Sequence, residues 1–177
     1  MKATGIVRRI DDLGRVVIPK EIRRTMRIRE GDPLEIYTSS EGEVIFKKYS
    51  PIGELSSIAT QYVEALSQSV SLPVVICDRD HCIAASGISK KEVLERRITE
   101  TLEDVMEQRR TVTFEGDENS QALEGIKRPL KAGVPIINAG DVSGVVALLA
   151  DEKGSDATQT DIKLISVAAA FLGMQME

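Results

Sequence analysis

Four basic side chains are the first candidates for chemistry in this sequence: Arg15, Lys20, Arg23 and Arg24, all within DDLGRVVIPKEIRRTM at 11–26. A guanidinium group is permanently charged and planar, so it suits two-point contacts with a phosphate group or a guanine edge. The whole chain carries a net charge of −5, so this density of cations is a local feature. The segment is either an ordinary solvated surface or a site for an anionic partner.

The segment CDRDHC at 77–82 is the second candidate, because it brings Cys77, His81 and Cys82 close together. Its C-x4-C spacing matches no structural zinc pattern, and the sequence has no second ligand cluster. In a hairpin the two thiols would lie at the strand ends, within disulfide reach. We expect reduced thiols that pack in the interior, with redox or metal sensing as the alternative.

Motifs for catalysis are missing. His81 is the only histidine, and no serine or cysteine lies within a nucleophile motif. There is also no G-x-x-x-x-G-K-[ST] phosphate loop. We therefore expect a protein that is not an enzyme and that needs no cofactor and no metal.

The charge is divided unevenly along the chain. Residues 1–50 hold 11 Lys and Arg against 8 Asp and Glu, whereas residues 51–177 hold 12 against 20. This asymmetry predicts an end that faces a polyanion on an otherwise acidic body. No apolar run approaches the roughly 20 residues of a membrane span, and the first residues lack a signal-peptide pattern. We expect a soluble, cytoplasmic protein with no membrane partner.

The elements that would position the arginines follow a β-β-α-β-β order. Two β-branched runs at 5–10 and 15–19 are separated by turn chemistry at 11–14, and Pro19 ends the second run. A short helix is predicted at 20–28, followed by strands at 33–39 and 43–49. Because fifty residues with so few large apolar side chains rarely fold alone, we expect a dimer with strands interleaved between chains.

The first fifty residues resemble the N-terminal domain of the AbrB-type transition-state regulators. The resemblance rests on G-I-V-R at 5–8, D-x-L-G-R-V-V-I-P at 11–19, E-I-R-R at 21–24 and G-D-x-L-E-I-Y at 31–37. It implies a swapped-hairpin homodimer that binds double-stranded DNA. The DNA-contacting arginines of that family correspond to Arg8, Arg15, Arg23 and Arg24. No second helix follows the first, so we expect recognition of DNA shape and a degenerate, AT-tolerant target.

The second half follows a linker at 49–55 and resembles a GAF domain. The pieces that carry this resemblance are VVICDRDHCIAASG at 74–87, VPIINAGDVSGVVALLA at 134–150 and a terminal helix. It implies an antiparallel sheet flanked by helices and dimerisation through helices 52–70 and 160–176. It also implies a small-molecule pocket between the sheet and segment 88–110, for which the sequence names no ligand.

These patterns predict an α+β protein with domains at 1–50 and 51–177. Two interfaces in one chain would give a tetramer, in which tethered DNA-binding faces raise the affinity. The resemblance to the transition-state regulators implies a nucleoid-associated transcription regulator of sporulation-type gene programmes, both an activator and a repressor. One alternative is an antitoxin, since similar N-terminal folds occur in proteins that neutralise toxins. Another is a small thiol-dependent reductase that would use Cys77 or Cys82.

Overall fold

The computed structural model describes residues 4–176, and the chain divides into two compact units. Unit 1 comprises residues 1–49 and unit 2 comprises residues 50–177. No helix among residues 4–176 is both long enough and apolar enough to cross a membrane.

Unit 1 contains one short helix and one hairpin. Helix α1 (Lys20–Thr25) starts directly after Pro19, whose φ of −57° suits a helix start and whose carbonyl accepts a hydrogen bond from the backbone of Arg23. Strands β1 (Leu34–Thr38) and β2 (Val44–Lys48) pair antiparallel. The turn between them contains Gly42 at a φ of +83°, a conformation that a side chain would strain.

The two strands predicted at 5–10 and 15–19 are not formed within the single chain. Residues 4–10 and 15–19 have no regular secondary structure, although the predicted turn between them is present. A strand exists only through its ladder of hydrogen bonds, and no strand among residues 4–176 pairs with these stretches. In residues 4–49 only Pro19 is buried, so unit 1 has no interior of its own.

Unit 2 is built on a five-stranded antiparallel sheet in the order β4-β3-β7-β6-β5. The strands are β3 (Val74–Cys77), β4 (Cys82–Ser86), β5 (Val112–Thr113), β6 (Leu130–Asn138) and β7 (Asp141–Leu149). The predicted hairpins at 72–86 and 128–150 are therefore confirmed. Strand β3 pairs with β7, far along the chain, and this pairing joins the two hairpins into one sheet.

Five helices belong to unit 2. They are α2 (Pro51–Glu54), α3 (Ser56–Leu66), α4 (Lys90–Val93), α5 (Glu100–Gln108) and α6 (Gln159–Met174). The single helix predicted over 52–70 was wrong: it breaks at Leu55 and ends at Leu66. At the start of α2, Ser50 caps the helix through its hydroxyl group, which accepts a hydrogen bond from the backbone of Gly53 at 3.1 Å. A Cβ on Gly53 would lie only 2.9 Å from that oxygen, so the cap requires glycine there.

Alternating residues of the sheet face two apolar clusters. On one face, Val74 and Ile76 belong to the cluster that packs against α3 and α6. On the other face, Val75 and Cys77 belong to the cluster that includes α5 and the 122–123 segment. This period of two buries both faces of the sheet, as expected when helices cover each side.

Candidate nucleic-acid interface

Arg15 is held by a turn that Asp11 organises. The Asp11 carboxylate accepts hydrogen bonds from the backbone of Leu13 at 3.0 Å, from the backbone of Arg15 at 2.8 Å and from Arg15 Nε at 2.8 Å. The backbone and side-chain hydrogen bonds from Arg15 lower the pKa of Asp11 below its ordinary value. The Arg15 side chain is 70% exposed. Its Nε is used by the turn, whereas its Nη groups make no hydrogen bond within residues 4–176.

Arg23 and Arg24 lie side by side in the last turn of α1, and both are exposed. Within the described residues neither forms an ion pair. Cations at a helix carboxyl end interact favourably with its backbone carbonyls, which supports this placement locally. The helix therefore presents two adjacent guanidinium groups that no carboxylate neutralises.

Arg8 is exposed in the stretch that has no regular structure, where its Nη1 donates to the carbonyl of Val7 at 3.3 Å. Of the four arginines named by the resemblance, the structure brings Arg23 and Arg24 together on one helix. It fixes Arg15 separately at its turn, and no hydrogen bond joins Arg8 to the other three in the described chain. All four side chains are solvent-exposed in the single chain.

A fixed loop after α1 was not foreseen from the sequence. The Asp32 carboxylate accepts a hydrogen bond from the backbone of Arg29 at 2.8 Å, and it lies 3.9 Å from Lys48 Nζ on β2. The same Nζ donates to the carbonyl of Arg27 at 2.9 Å. The residues after the helix are thus tied to the hairpin. The GDP sequence at 31–33 indicates a turn, but the partner of Asp32, Lys48, lies 16 residues further along the chain.

The thiols of Cys77 and Cys82 face each other across the hairpin, as register partners in β3 and β4. Both are free and fully buried. A hydrogen bond between the protonated Cys77 thiol and Cys82, together with burial, raises the pKa of the Cys77 thiol well above its ordinary value, so its thiolate is disfavoured. Within residues 4–176 no group of three or more His, Cys, Asp and Glu side chains could hold a metal ion.

Helix α5 packs directly on the sheet at the place where the resemblance implied a pocket. Leu102 and Val105 of α5 are fully buried against the sheet. A Cβ on Gly133 would lie 2.9 Å from a methyl carbon of Val105, so α5 and β6 are in direct contact. A small-molecule pocket between the sheet and segment 88–110 stays a prediction.

A polar cleft of about 380 Å³ lies elsewhere in unit 2, lined by residues of the 67–73, 87, 128 and 151–153 segments. Three of its charged groups have partners: Arg128 donates to the carbonyl of Ala150 at 3.2 Å and lies 3.7 Å from Glu152, while Asp151 accepts hydrogen bonds from Ser155. Lys153 is the fourth charged residue of the lining.

Comparison with known families assigns each unit. Residues 7–53 match the model "Antidote-toxin recognition MazE, bacterial antitoxin", and residues 54–177 match "Stage V sporulation protein T C-terminal, transcription factor". A DNA-recognition unit of the AbrB type followed by the C-terminal unit of a sporulation transcription factor defines a transcription factor by class. Across the whole chain, the sequence is 51% identical over 179 residues to Stage V sporulation protein T of Bacillus subtilis (strain 168), covering 100% of this chain and 99% of that protein. The chain therefore belongs to the stage V sporulation protein T family.

Two further proteins are each similar to one of the two units. The Bacillus subtilis transition state regulatory protein AbrB is 63% identical over 51 residues, which cover 29% of this chain and 52% of AbrB. A GAF domain/HD domain protein from Geobacter sulfurreducens matches 73% of this chain and 98% of its own, with a TM-score of 0.53 and 14% identity. The latter likeness confirms the GAF-like fold of unit 2, and the predicted α+β fold class is confirmed with it.

Proposed function

We propose that this chain regulates transcription by binding double-stranded DNA through Arg8, Arg15, Arg23 and Arg24 of unit 1. The observation that carries the proposal is the set of exposed guanidinium groups in this unit, of which Arg23 and Arg24 have no ion pair among the described residues. Arginines left without carboxylates suit the phosphates of DNA, whose neutralisation releases counterions. The 63% identity of this region to AbrB supports the same assignment.

We further propose that unit 1 functions as a homodimer. One face of its hairpin carries Ile36, Val44 and Phe46, and these side chains are 62%, 61% and 44% exposed in the single chain. Fully burying a side chain of this kind stabilises a fold by about 1.5–3 kcal/mol. The stretches 5–10 and 15–19 also pair with no strand in the part of the chain that the structure describes, and strands supplied by a second copy would give them a partner.

A second contact between copies is proposed through α3 and α6, which would make a tetramer. Tyr62 of α3 stacks on Phe171 of α6 with ring centroids 4.9 Å apart, and both rings are only half-buried. Val167 and Met174 extend this apolar surface on α6 and are exposed. Tethering two DNA-binding faces in one assembly raises the overall affinity through effective concentration.

We propose that the main role of unit 2 is to hold copies of the regulator together in one oligomer. Because α5 packs directly on β6, binding of a small molecule between them would require that packing to open. The antitoxin alternative is not favoured, because an antitoxin of this type ends in a short tail for its toxin, whereas residues 51–176 form a folded unit.

The decisive experiment measures the affinity of the intact chain for duplex DNA as a function of salt concentration. If eight arginines of a dimer each neutralise one phosphate, log K falls against log salt with a slope of about −7. Arg24→Gln removes two of these contacts per dimer, so the slope becomes shallower by about 2 and the affinity falls. Arg110→Gln serves as the matched control, since Arg110 is an exposed arginine of unit 2.

Two results would contradict the proposal. The first is an intact chain whose DNA binding does not depend on salt. The second is an equal loss of slope in Arg24→Gln and Arg110→Gln, because binding would then follow total charge and not the arginines of unit 1.

A further inference from the structure

Arg15 differs from the other three arginines of the proposed interface because a carboxylate holds its guanidinium group. Asp11 Oδ2 accepts a hydrogen bond from Arg15 Nε at 2.8 Å. Among residues 4–176, none of Arg8, Arg23 and Arg24 has a carboxylate partner. The Arg15 side chain is nevertheless exposed, and its two Nη groups make no hydrogen bond in the described chain. One edge of this guanidinium group is therefore fixed, while its end faces solvent.

The Asp11 carboxylate is itself held in place by the backbone of its turn. Its Oδ1 accepts hydrogen bonds from the amides of Leu13 at 3.0 Å and Arg15 at 2.8 Å. The backbone also closes the turn, since Asp11 N donates to the carbonyl of Arg15 at 3.1 Å. Exposed ion pairs usually contribute little because two flexible side chains must be ordered to form them. Here the carboxylate is already ordered, so the pair orients Arg15 at a lower entropic cost.

The contact at Nε leaves Arg15 with a pair of donors that matches one base. A guanidinium group is planar, so the two Nη groups point away from Nε in a fixed fork. Two donors at this spacing fit the two acceptors on the major-groove edge of guanine, a ring nitrogen and a carbonyl oxygen. An oriented side chain also loses less freedom on binding than a mobile one, which favours such a directional contact.

The same carboxylate makes Arg15 a poor ligand for phosphate. The charges of Asp11 and Arg15 cancel, and attraction to a phosphate group depends on uncancelled positive charge. Arg23 and Arg24 keep their full charge and suit the phosphates. The structure thus contains two kinds of arginine, which correspond to the two tasks of base contact and backbone positioning.

We propose that Asp11 is a positioning residue that directs Arg15 at the major-groove edge of a guanine, so that Arg15 determines base specificity. This inference rests on the proposed function. In the proposed dimer the contact occurs twice, so the target contains two symmetry-related guanines and tolerates changes at other positions. Six arginines of the dimer then neutralise phosphates, which gives a salt slope of about −5 for the parent in place of about −7 for eight.

The test compares two DNA probes that differ in one acceptor atom. The intact parent chain first selects a duplex from a random-sequence library, and the same duplex is then made with 7-deazaguanine at every guanine. This base pairs normally but lacks the ring nitrogen that accepts in the major groove. We expect the parent to bind the modified duplex about tenfold more weakly, because each of two guanine contacts loses one of its hydrogen bonds.

Asp11→Asn isolates the contact with the Arg15 side chain. The amide oxygen can replace Oδ1 as the acceptor of both backbone hydrogen bonds, whereas the amide nitrogen replaces Oδ2 and cannot accept from Arg15 Nε. We expect a melting temperature close to that of the parent, a preference for the unmodified duplex of about twofold or less, and a salt slope steeper by about 2. Asp12→Asn is the matched control, since it removes the neighbouring exposed charge and should keep the tenfold preference. Arg15→Lys keeps the charge without the planar fork and should lose the preference.

The outcomes separate this inference from the proposed function. A parent without salt-dependent DNA binding overturns the proposed function itself. If the parent binds with a steep salt slope but does not distinguish the two probes, or if Asp11→Asn keeps the tenfold preference, only this inference is overturned. Should Asp11→Asn prove less stable, binding is measured at a temperature where it is folded. Loss of the preference in both Asp11→Asn and Arg15→Lys, but not in Asp12→Asn, then supports the positioning role, and its retention in either of the first two overturns that role.

Discussion

The contact between α6 and β6 provides a sharp test of the packing in unit 2, through the substitution Gly173→Ala. Alanine stabilises a helix interior by about 1 kcal/mol relative to glycine, so helix propensity alone predicts a gain. In this structure, however, a Cβ on Gly173 would lie 2.4 Å from the carbonyl oxygen of Ile137 and 3.3 Å from its carbon. The oxygen belongs to a strand backbone and cannot rotate away, so α6 must move outwards by several tenths of an ångström.

Moving α6 disturbs the cluster around Leu172, which is fully buried on the same helix. Overpacking of this kind costs about 1–3 kcal/mol, which exceeds the gain in helix propensity. We therefore expect Gly173→Ala to lower the free energy of unfolding by about 1–2 kcal/mol, or the melting temperature by about 2–8 °C.

The assay is urea or thermal unfolding of the intact chain followed by circular dichroism, at one fixed protein concentration. Ala170→Gly is the matched control, since Ala170 is exposed on the same helix and the change is the reverse one. It should cost about 1 kcal/mol through helix propensity alone. If Gly173→Ala instead stabilises the protein by the amount that Ala170→Gly costs, α6 and β6 are not in the close contact described.

Two further predictions concern the start of α6 and the surface between copies. Asp161 accepts four hydrogen bonds, two each from Thr158 and Ser71, and Asp161→Ala should cost about 2–4 kcal/mol of unfolding free energy. Burial raises the pKa of Asp161, but these hydrogen bonds outweigh it and lower the pKa overall. The stabilisation by Asp161 is therefore complete above the ordinary Asp pKa and is lost as the pH falls through the lowered pKa. The measurement is the free energy of unfolding of the parent and of Asp161→Ala at acidic and neutral pH. A difference between the two proteins that grows in acid would oppose this prediction. For the dimer, Ile36→Asp should weaken association by at least about a hundredfold in sedimentation velocity, because it introduces a charge into each half of the interface. The control Ser40→Asp, in the hairpin turn, should not weaken association. If the two variants associate equally well, the hairpin face of Ile36, Val44 and Phe46 is not the interface.

Much of unit 2 could be predicted from local patterns. The alternating apolar residues of β6 and β7, with the turn residues between them, specify a hairpin because a strand exposes alternate side chains to opposite faces. The break at Leu55 could not be predicted from helical spacing, because the apolar residues of 52–66 keep the same helical spacing on both sides of it. The close packing of α5 on β6 could not be predicted from the sequence either, because it depends on which residues of β6 lie opposite Val105.

In unit 1 the local sequence patterns predicted the basic residues more completely than they predicted the secondary structure. The basic residues and their turn were readable because Asp11 and Arg15 are only four residues apart. The strands at 5–10 and 15–19 were predicted from β-branched residues, but a strand needs a partner, and none of residues 4–176 supplies one. The proposed dimer would supply that partner from a second chain.

The sequence by itself determined the separation of charge, the arginine-rich segment, the hairpins and the helical faces, because each depends on residues that are close along the chain. Only the tertiary structure decided the pairing of β3 with β7, the packing of α5 on β6 and the left-handed backbone of Arg27. The last case illustrates the reason: Lys48, 21 residues away, fixes the carbonyl of Arg27. Contacts between distant residues depend on the three-dimensional path of the chain, which local propensity does not specify.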